Sequence, residues 1–162
     1  MERRSFILSS MVATVAAVLP KFAFASGANA QSGAAIYTDA EIFKKLAAIG
    51  ESTADCLKKG KACEAHCKKQ IAAGDKDFEK CYSSVRAMMI LCDATGKLAA
   101  LKSTQIRGIL DACIASLETC RDACLEHKEH FAHGMHLQCK ECEESCEHCI
   151  DHCKDLKAAL SV

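Results

Sequence analysis

Residues 138–154 read QCKECEESCEHCIDHCK, and the cysteines at Cys139, Cys142, Cys146, Cys149 and Cys153 are separated by gaps of 3, 4, 3 and 4. That rhythm is the apolar seam of an α-helix, in which residues three and four apart share one face. It is neither the spacing of a common metal finger nor that of a disulfide knot. The stretch therefore predicts a helix presenting a row of thiols where other bundles present leucine.

The same rhythm runs through three further segments. One follows Ile42, Leu46, Ile49, Thr53, Cys56, Gly60, Cys63 and Cys67; a second follows Phe78, Cys81, Val85, Met88 and Cys92. A third follows Ile106, Leu110, Cys113, Leu117, Cys120, Cys124, His127 and Phe131, and the quoted stretch extends from Met135 to Leu156 and Leu160. Gly74 and Asp75, Ser103 and Thr104, and His133 and Gly134 mark the breaks, while Thr38, Asp39 and Glu41 resemble a capping box. These signals predict an all-α, antiparallel up-down-up-down four-helix bundle over residues 38–162, with helices at about 39–73, 76–101, 104–130 and 135–160. The C-x6-C-x3-C pattern at Cys56/Cys63/Cys67 and Cys113/Cys120/Cys124 suggests two similar hairpins.

Residues 1–30 stand apart. Arg3 and Arg4 form a twin-arginine pattern, followed by an apolar run over residues 6–19 and by A-x-A sites ending at Ala25 and Ala30. The run is shorter than the roughly 20 residues of a membrane span, so an export signal is favoured over an uncleaved anchor. The expected product is a periplasmic or otherwise extracytoplasmic protein without membrane insertion, beginning with a flexible segment over residues 31–37. Loss of Glu2, Arg3, Arg4 and Lys21 leaves 18 basic and 20 acidic residues, a net charge of −2. No basic patch points to nucleic acid.

All 13 cysteines lie beyond residue 30, and the single proline, Pro20, does not. Counted inward from the turns at 74–75 and 132–134, Cys67, Cys81, Cys124, Cys139 and Cys142 share one depth. Cys63, Cys120 and Cys146 share the next, and Cys56, Cys92, Cys113, Cys149 and Cys153 the deepest. At about 1.5 Å per residue the thiols fill roughly 20 Å of the bundle axis. Ile42, Leu46, Ile49, Leu98, Leu101, Ile106, Leu156 and Leu160 are expected to close the far end.

A sulfur-lined core has several uses. Cysteine as a small core hydrophobe explains one or two thiols, not thirteen aligned ones. Disulfides across helices are possible, but neighbours within a helix are about 5–6 Å apart at Cβ, and a disulfide needs roughly 3.5–4.5 Å. An odd thiol also remains. Zinc suits C-x2-C pairs, yet each tetrathiolate site carries a charge of −2 that an apolar core resists. Copper(I) is soft and thiolate-seeking, and one Cu(I) per thiolate is neutral, so many ions fit one core. Storage of Cu(I) is favoured, with a zinc- or disulfide-stabilised structural or redox-sensing bundle as the alternative. An enzyme is not expected, since no Ser/His/Asp set or pocket of paired carboxylates is present.

The twin-arginine start, the thirteen cysteines, C-E-A-H-C over residues 63–67 and C-x2-C-x3-C-x2-C-x3-C from Cys139 resemble the exported bacterial copper storage proteins. The resemblance covers essentially the whole chain beyond residue 30. It implies a tetramer of four-helix bundles and about one Cu(I) per cysteine, up to about 13 ions per chain. It also implies supply of copper to an enzyme such as the particulate methane monooxygenase. By position it makes all thirteen cysteines ligands, and His66 an accessory ligand at the open mouth. A member of that family carries several methionines between its third and fourth cysteines, at the mouth, where this chain has only Gln70, Ala73 and Phe78. His127, His130, His133 and His136 recur instead, and form a candidate uptake site with His66. His148 and His152 are expected to face outward, and Met88 to be core packing.

Overall fold

The computed structural model describes residues 36–161, so the twin-arginine stretch and the A-x-A sites lie outside the described residues. Four α-helices follow one another: α1 (Ala40–Ala72), α2 (Phe78–Ala100), α3 (Leu110–Leu125) and α4 (Leu137–Ala159). α1 packs on α2 and α4, and α3 packs on α2 and α4, which closes a four-sided bundle. Cys63 on α1 meets Cys81 on α2 and Cys139 on α4, while Cys56 meets Cys92 and Cys149. Numbers fall along α1 as they rise along α2 and α4, which is the expected antiparallel order.

Each seam is buried as its rhythm requires. α1 buries Leu46, Ile49, Thr53, Cys56, Gly60, Cys63 and Cys67. α4 buries Cys139, Cys142, Ser145, Cys146, Cys149, Ile150, Cys153 and Leu156. Two buried hydroxyls bond their own helix: Thr53 Oγ1 donates to the Ile49 carbonyl at 2.7 Å and Ser145 Oγ to that of Cys142 at 2.8 Å. α1 is capped by Asp39, whose Oδ1 accepts from the amides of Glu41 and Ile42 at 2.8 and 3.0 Å. The cap is thus one residue later than a Thr38 box.

The third helix departs from the expected 104–130. Ser103 caps a 3-10 turn over Thr104–Gly108 by accepting from the Gln105 amide, and α3 begins only at Leu110. This turn buries Ile106 completely and lets Arg107 donate to the Leu160 carbonyl at the end of α4. α3 ends at Leu125, where His127 leaves helical dihedrals (φ −100°, ψ 9°), and a second 3-10 turn spans Lys128–His133. Gly134 (φ +70°) and His136 (φ +53°) then take left-handed backbone before α4 starts at Leu137. Met135 is consequently exposed rather than on a buried seam.

At the opposite end Leu46, Ile49, Ile106, Leu156 and Leu160 are buried, and Ile42 and Leu98 pack against them. Leu101, expected in this plug, is 69% exposed because it follows the last turn of α2. Ile36 and Tyr37, in the segment expected to be flexible, are held there: Ile36 bridges Ser103, and the Tyr37 amide donates to the Lys102 carbonyl at 2.9 Å. Ion pairs join neighbouring helices outside, including Lys59–Glu141 at 2.9 Å and Lys154–Glu118 at 3.1 Å. On the outer face of α4, Glu141, Glu144, Glu147 and Asp151 are solvated as expected. Glu143 is half-buried, and desolvation followed by the charges of Glu144 and Glu147 raises its pKa. No helix among the described residues is long and apolar enough to cross a membrane.

Gly96 of α2 marks a close approach. A Cβ there would lie 2.6 Å from Thr53 Oγ1, a hydroxyl already held by two α1 carbonyls. Gly96→Ala should therefore lower the stability of the metal-free protein by roughly 1–3 kcal/mol through overpacking. Thr53→Ala in the same chain should recover most of the loss, giving a non-additive cycle in urea unfolding. A midpoint for Gly96→Ala at or above the parent would contradict this packing.

Candidate metal centre

Every one of the thirteen cysteines is a free thiol with no solvent exposure. Cys63 is the hub of the group nearest the 74–75 turn. Its Sγ lies 3.6 Å from Cys81, 3.8 Å from Cys139, 3.9 Å from Cys67 and 4.0 Å from Cys124. Cys81 and Cys124 are themselves 3.6 Å apart. These are contact distances between unbonded sulfurs, far above the roughly 2.05 Å of a disulfide. Below this group Cys120, Cys142 and Cys146 gather, with Cys120 and Cys142 at 3.9 Å. Deepest are Cys56, Cys92 and Cys149, with Cys113 interacting with Cys153 and Cys92 beside them.

The layers expected from counting are therefore present, with one shift. Cys63, expected level with Cys120 and Cys146, joins the mouth group, and Cys142 links that group to the middle one.

Touching thiols share protons, and their acidities diverge. The hydrogen bond with Cys124 holds the Cys81 thiol down to about 5, and that with Cys153, then Cys92, holds Cys113 down to about 4. Hydrogen bonds with Cys120, Cys139, Cys142 and Cys63, with burial added, push Cys124 up. Contacts with Cys113, Cys149 and Cys56, again with burial, push Cys92 up. Deprotonating the whole row therefore needs positive charge brought into the core.

Four of the five expected histidines converge above the thiols. His66 Nε2 and His136 Nδ1 are 2.9 Å apart, and His130 meets the His136 ring edge-on at 5.4 Å between centroids. His127 is buried and stacks flat on Phe78 at 4.0 Å, and its Nε2 has no hydrogen-bond partner. Burial, followed by the charge of His66, lowers the pKa of His136. His133 is exposed and, among the described residues, makes no ring contact with the others. His148 is exposed and His152 half-buried.

Two side chains have more to do here than their residue types suggest. Phe78 is fully buried and touches the rings of His66, His127 and His136, so it holds the imidazoles together at this end of the bundle. Met88, expected as packing, accepts the Cys92 S–H at its Sδ at 3.5 Å. The signal for Met88 was its place on the α2 seam four residues before Cys92.

No curated protein matches the chain. Two solved structures from Streptomyces lividans are similar to it. One, described as copper loading to a cytosolic copper storage protein with five coppers, is 25% identical with a TM-score of 0.65, covering 74% of this chain and 98% of that one. The other is the copper storage protein Ccsp loaded with 10 copper equivalents, 26% identical with a TM-score of 0.62, covering 71% and 85% respectively. The family model for copper storage protein matches residues 43–158, and on that match, within a thiol-lined four-helix bundle, the chain belongs to the copper storage protein family.

Proposed function

We propose that the chain stores Cu(I), with Cys56, Cys63, Cys67, Cys81, Cys92, Cys113, Cys120, Cys124, Cys139, Cys142, Cys146, Cys149 and Cys153 as thiolate ligands and roughly one ion per cysteine. The observation that carries this reading is the contact of fully buried thiols across all four helices. Each Cu(I) that replaces a thiol proton leaves the core neutral, which removes the obstacle to deprotonating the whole row. One Streptomyces structure is described with five coppers and the other as loaded with 10 copper equivalents, and the family match supports the same use here.

A zinc reading has one specific point in its favour. At a Zn–S bond of about 2.3 Å an ideal tetrahedron places its sulfurs about 3.8 Å apart, and Cys63, Cys67, Cys81 and Cys139 lie within 4.8 Å of one another. It accounts for four thiols and leaves the middle and deep groups without a role. Anaerobic titration of the reduced protein with Cu(I) against a chelator should saturate near 13 ions per chain and release about one proton per ion. Retention should weaken as pH falls, because protons compete for the same sulfurs. Saturation at three or four ions, or tighter retention of Zn²⁺ than of Cu(I), defeats the storage reading.

His66, His127, His130 and His136 form the uptake site, and His133 is left to solvent. Imidazole at the mouth would hold an incoming ion before it passes to the Cys63 group. His66→Ala with His127→Ala should slow loading and release several-fold without changing final capacity. Unaltered rates would dismiss the uptake role.

The Arg3 and Arg4 pattern supports export, although the first Streptomyces relative is described as cytosolic. An extracytoplasmic tetramer supplying an exported or membrane copper enzyme, as the resemblance implies for methane monooxygenase, completes the proposal. Cell fractionation should find the parent chain outside the cytoplasm and the Arg3→Lys, Arg4→Lys variant retained inside. An unchanged distribution would remove the export assignment.

A further inference from the structure

α2 is the helix poorest in thiols. It carries Cys81 and Cys92, 11 residues or about 16 Å apart, where α4 carries five cysteines. The seam positions between them belong to Val85 and Met88, both fully buried. Met88 Sδ is turned to the sulfur column: the Cys92 thiol donates to it at 3.5 Å, and Cys92 belongs to the deep group with Cys56 and Cys149.

Space for this thioether is made by a glycine. Gly60 sits on the α1 seam midway between Cys56 and Cys63, and a Cβ there would lie 3.1 Å from the Met88 methyl and 2.9 Å from Met89 Cγ. A buried glycine in the middle of a helix costs about 1 kcal/mol of helix propensity relative to alanine. Its place on α1 leaves room for the ends of both Met88 and Met89 from α2.

We propose that Met88 Sδ is a copper ligand, a fourteenth sulfur that joins Cys56, Cys92 and Cys149 around the Cu(I) held in the deep group. This rests on the storage reading above. A thioether is a soft donor suited to Cu(I), and it is neutral and carries no proton. It therefore raises the coordination of an ion already balanced by thiolate without adding charge to the apolar core. A leucine would fill similar volume and offer no donor, so chemistry and packing can be separated.

The test uses the full chain, labelled with selenomethionine and carrying Met89→Leu and Met135→Leu, loaded anaerobically with Cu(I). X-ray absorption at the selenium edge should show a copper neighbour, which Met88→Leu added to the same chain abolishes. In the unlabelled protein Met88→Leu should leave the number of ions taken up unchanged to within about one. The slowest fraction removed by chelator should leave on the order of tenfold faster. Apo unfolding midpoints of parent and variant should agree, as a volume-conserving exchange allows. Uptake near 13 ions with no copper neighbour at selenium, or a neighbour that persists in Met88→Leu, overturns the Met88 assignment alone. Uptake of only three or four ions overturns the storage reading beneath it.

Discussion

Everything in this bundle depends on keeping sulfur on the inward stripe of each helix. A thiol is small, weakly polar and easily buried, so a chain can place it at leucine positions and still collapse around it. The cost is volume: a cysteine fills less of the core than leucine, and thirteen of them leave a core held together by few large side chains. Phe78, Ile49, Met88, Ile106, Leu110, Leu117, Ile150 and Leu156 supply that bulk. The apolar plug and the aromatic at the mouth bracket the sulfur column, and cross-helix ion pairs sit outside it. Each exposed pair contributes about 0–1 kcal/mol, so the plug and these large side chains are what hold the metal-free form.

Charge imposes the second constraint. A metal that brings two charges to four thiolates leaves an excess that must be solvated or paired, and among the described residues no Lys or Arg is buried in the core to pair it: Lys59, Arg86, Arg121 and Lys154 pair with carboxylates on the outside. A univalent ion matched to one thiolate has no such requirement. The divergence of acidity between touching thiols, with Cys81 and Cys113 held down while Cys124 and Cys92 are pushed up, expresses the same fact in protons.

Much of this was legible in the residues. The 3-4 rhythm gave the four helices and most buried positions, because a period repeated over many turns leaves little freedom about which face is covered. It did not give Ser84, Thr95, Ala99, Ile114, Ala123, Ser145 or Ile150 beside the seams. What the rhythm could not convey was where the helix stops. The apolar pattern runs on through Thr104–Gly108 and Lys128–His133, yet both are 3-10 turns, and left-handed backbone at Gly134 and His136 follows the second. The fate of Met135 followed from the second of those turns, and that of Leu101 from the end of α2. At the site, the cysteines were readable from spacing. The gathering of His66, His127, His130 and His136 without His133 depended on left-handed backbone at Gly134 and His136, which spacing does not encode.

The plug has a consequence of its own. A column sealed at one end by Leu46, Ile49, Ile106, Leu156 and Leu160, and loaded from the histidine end as proposed, is a blind shaft. Traffic in a blind shaft is ordered: ions that enter first travel furthest, and those that enter last are nearest the way out. The rate at which such a protein gives up its cargo then depends on how full it is, so a nearly full chain answers demand quickly and a nearly empty one hoards.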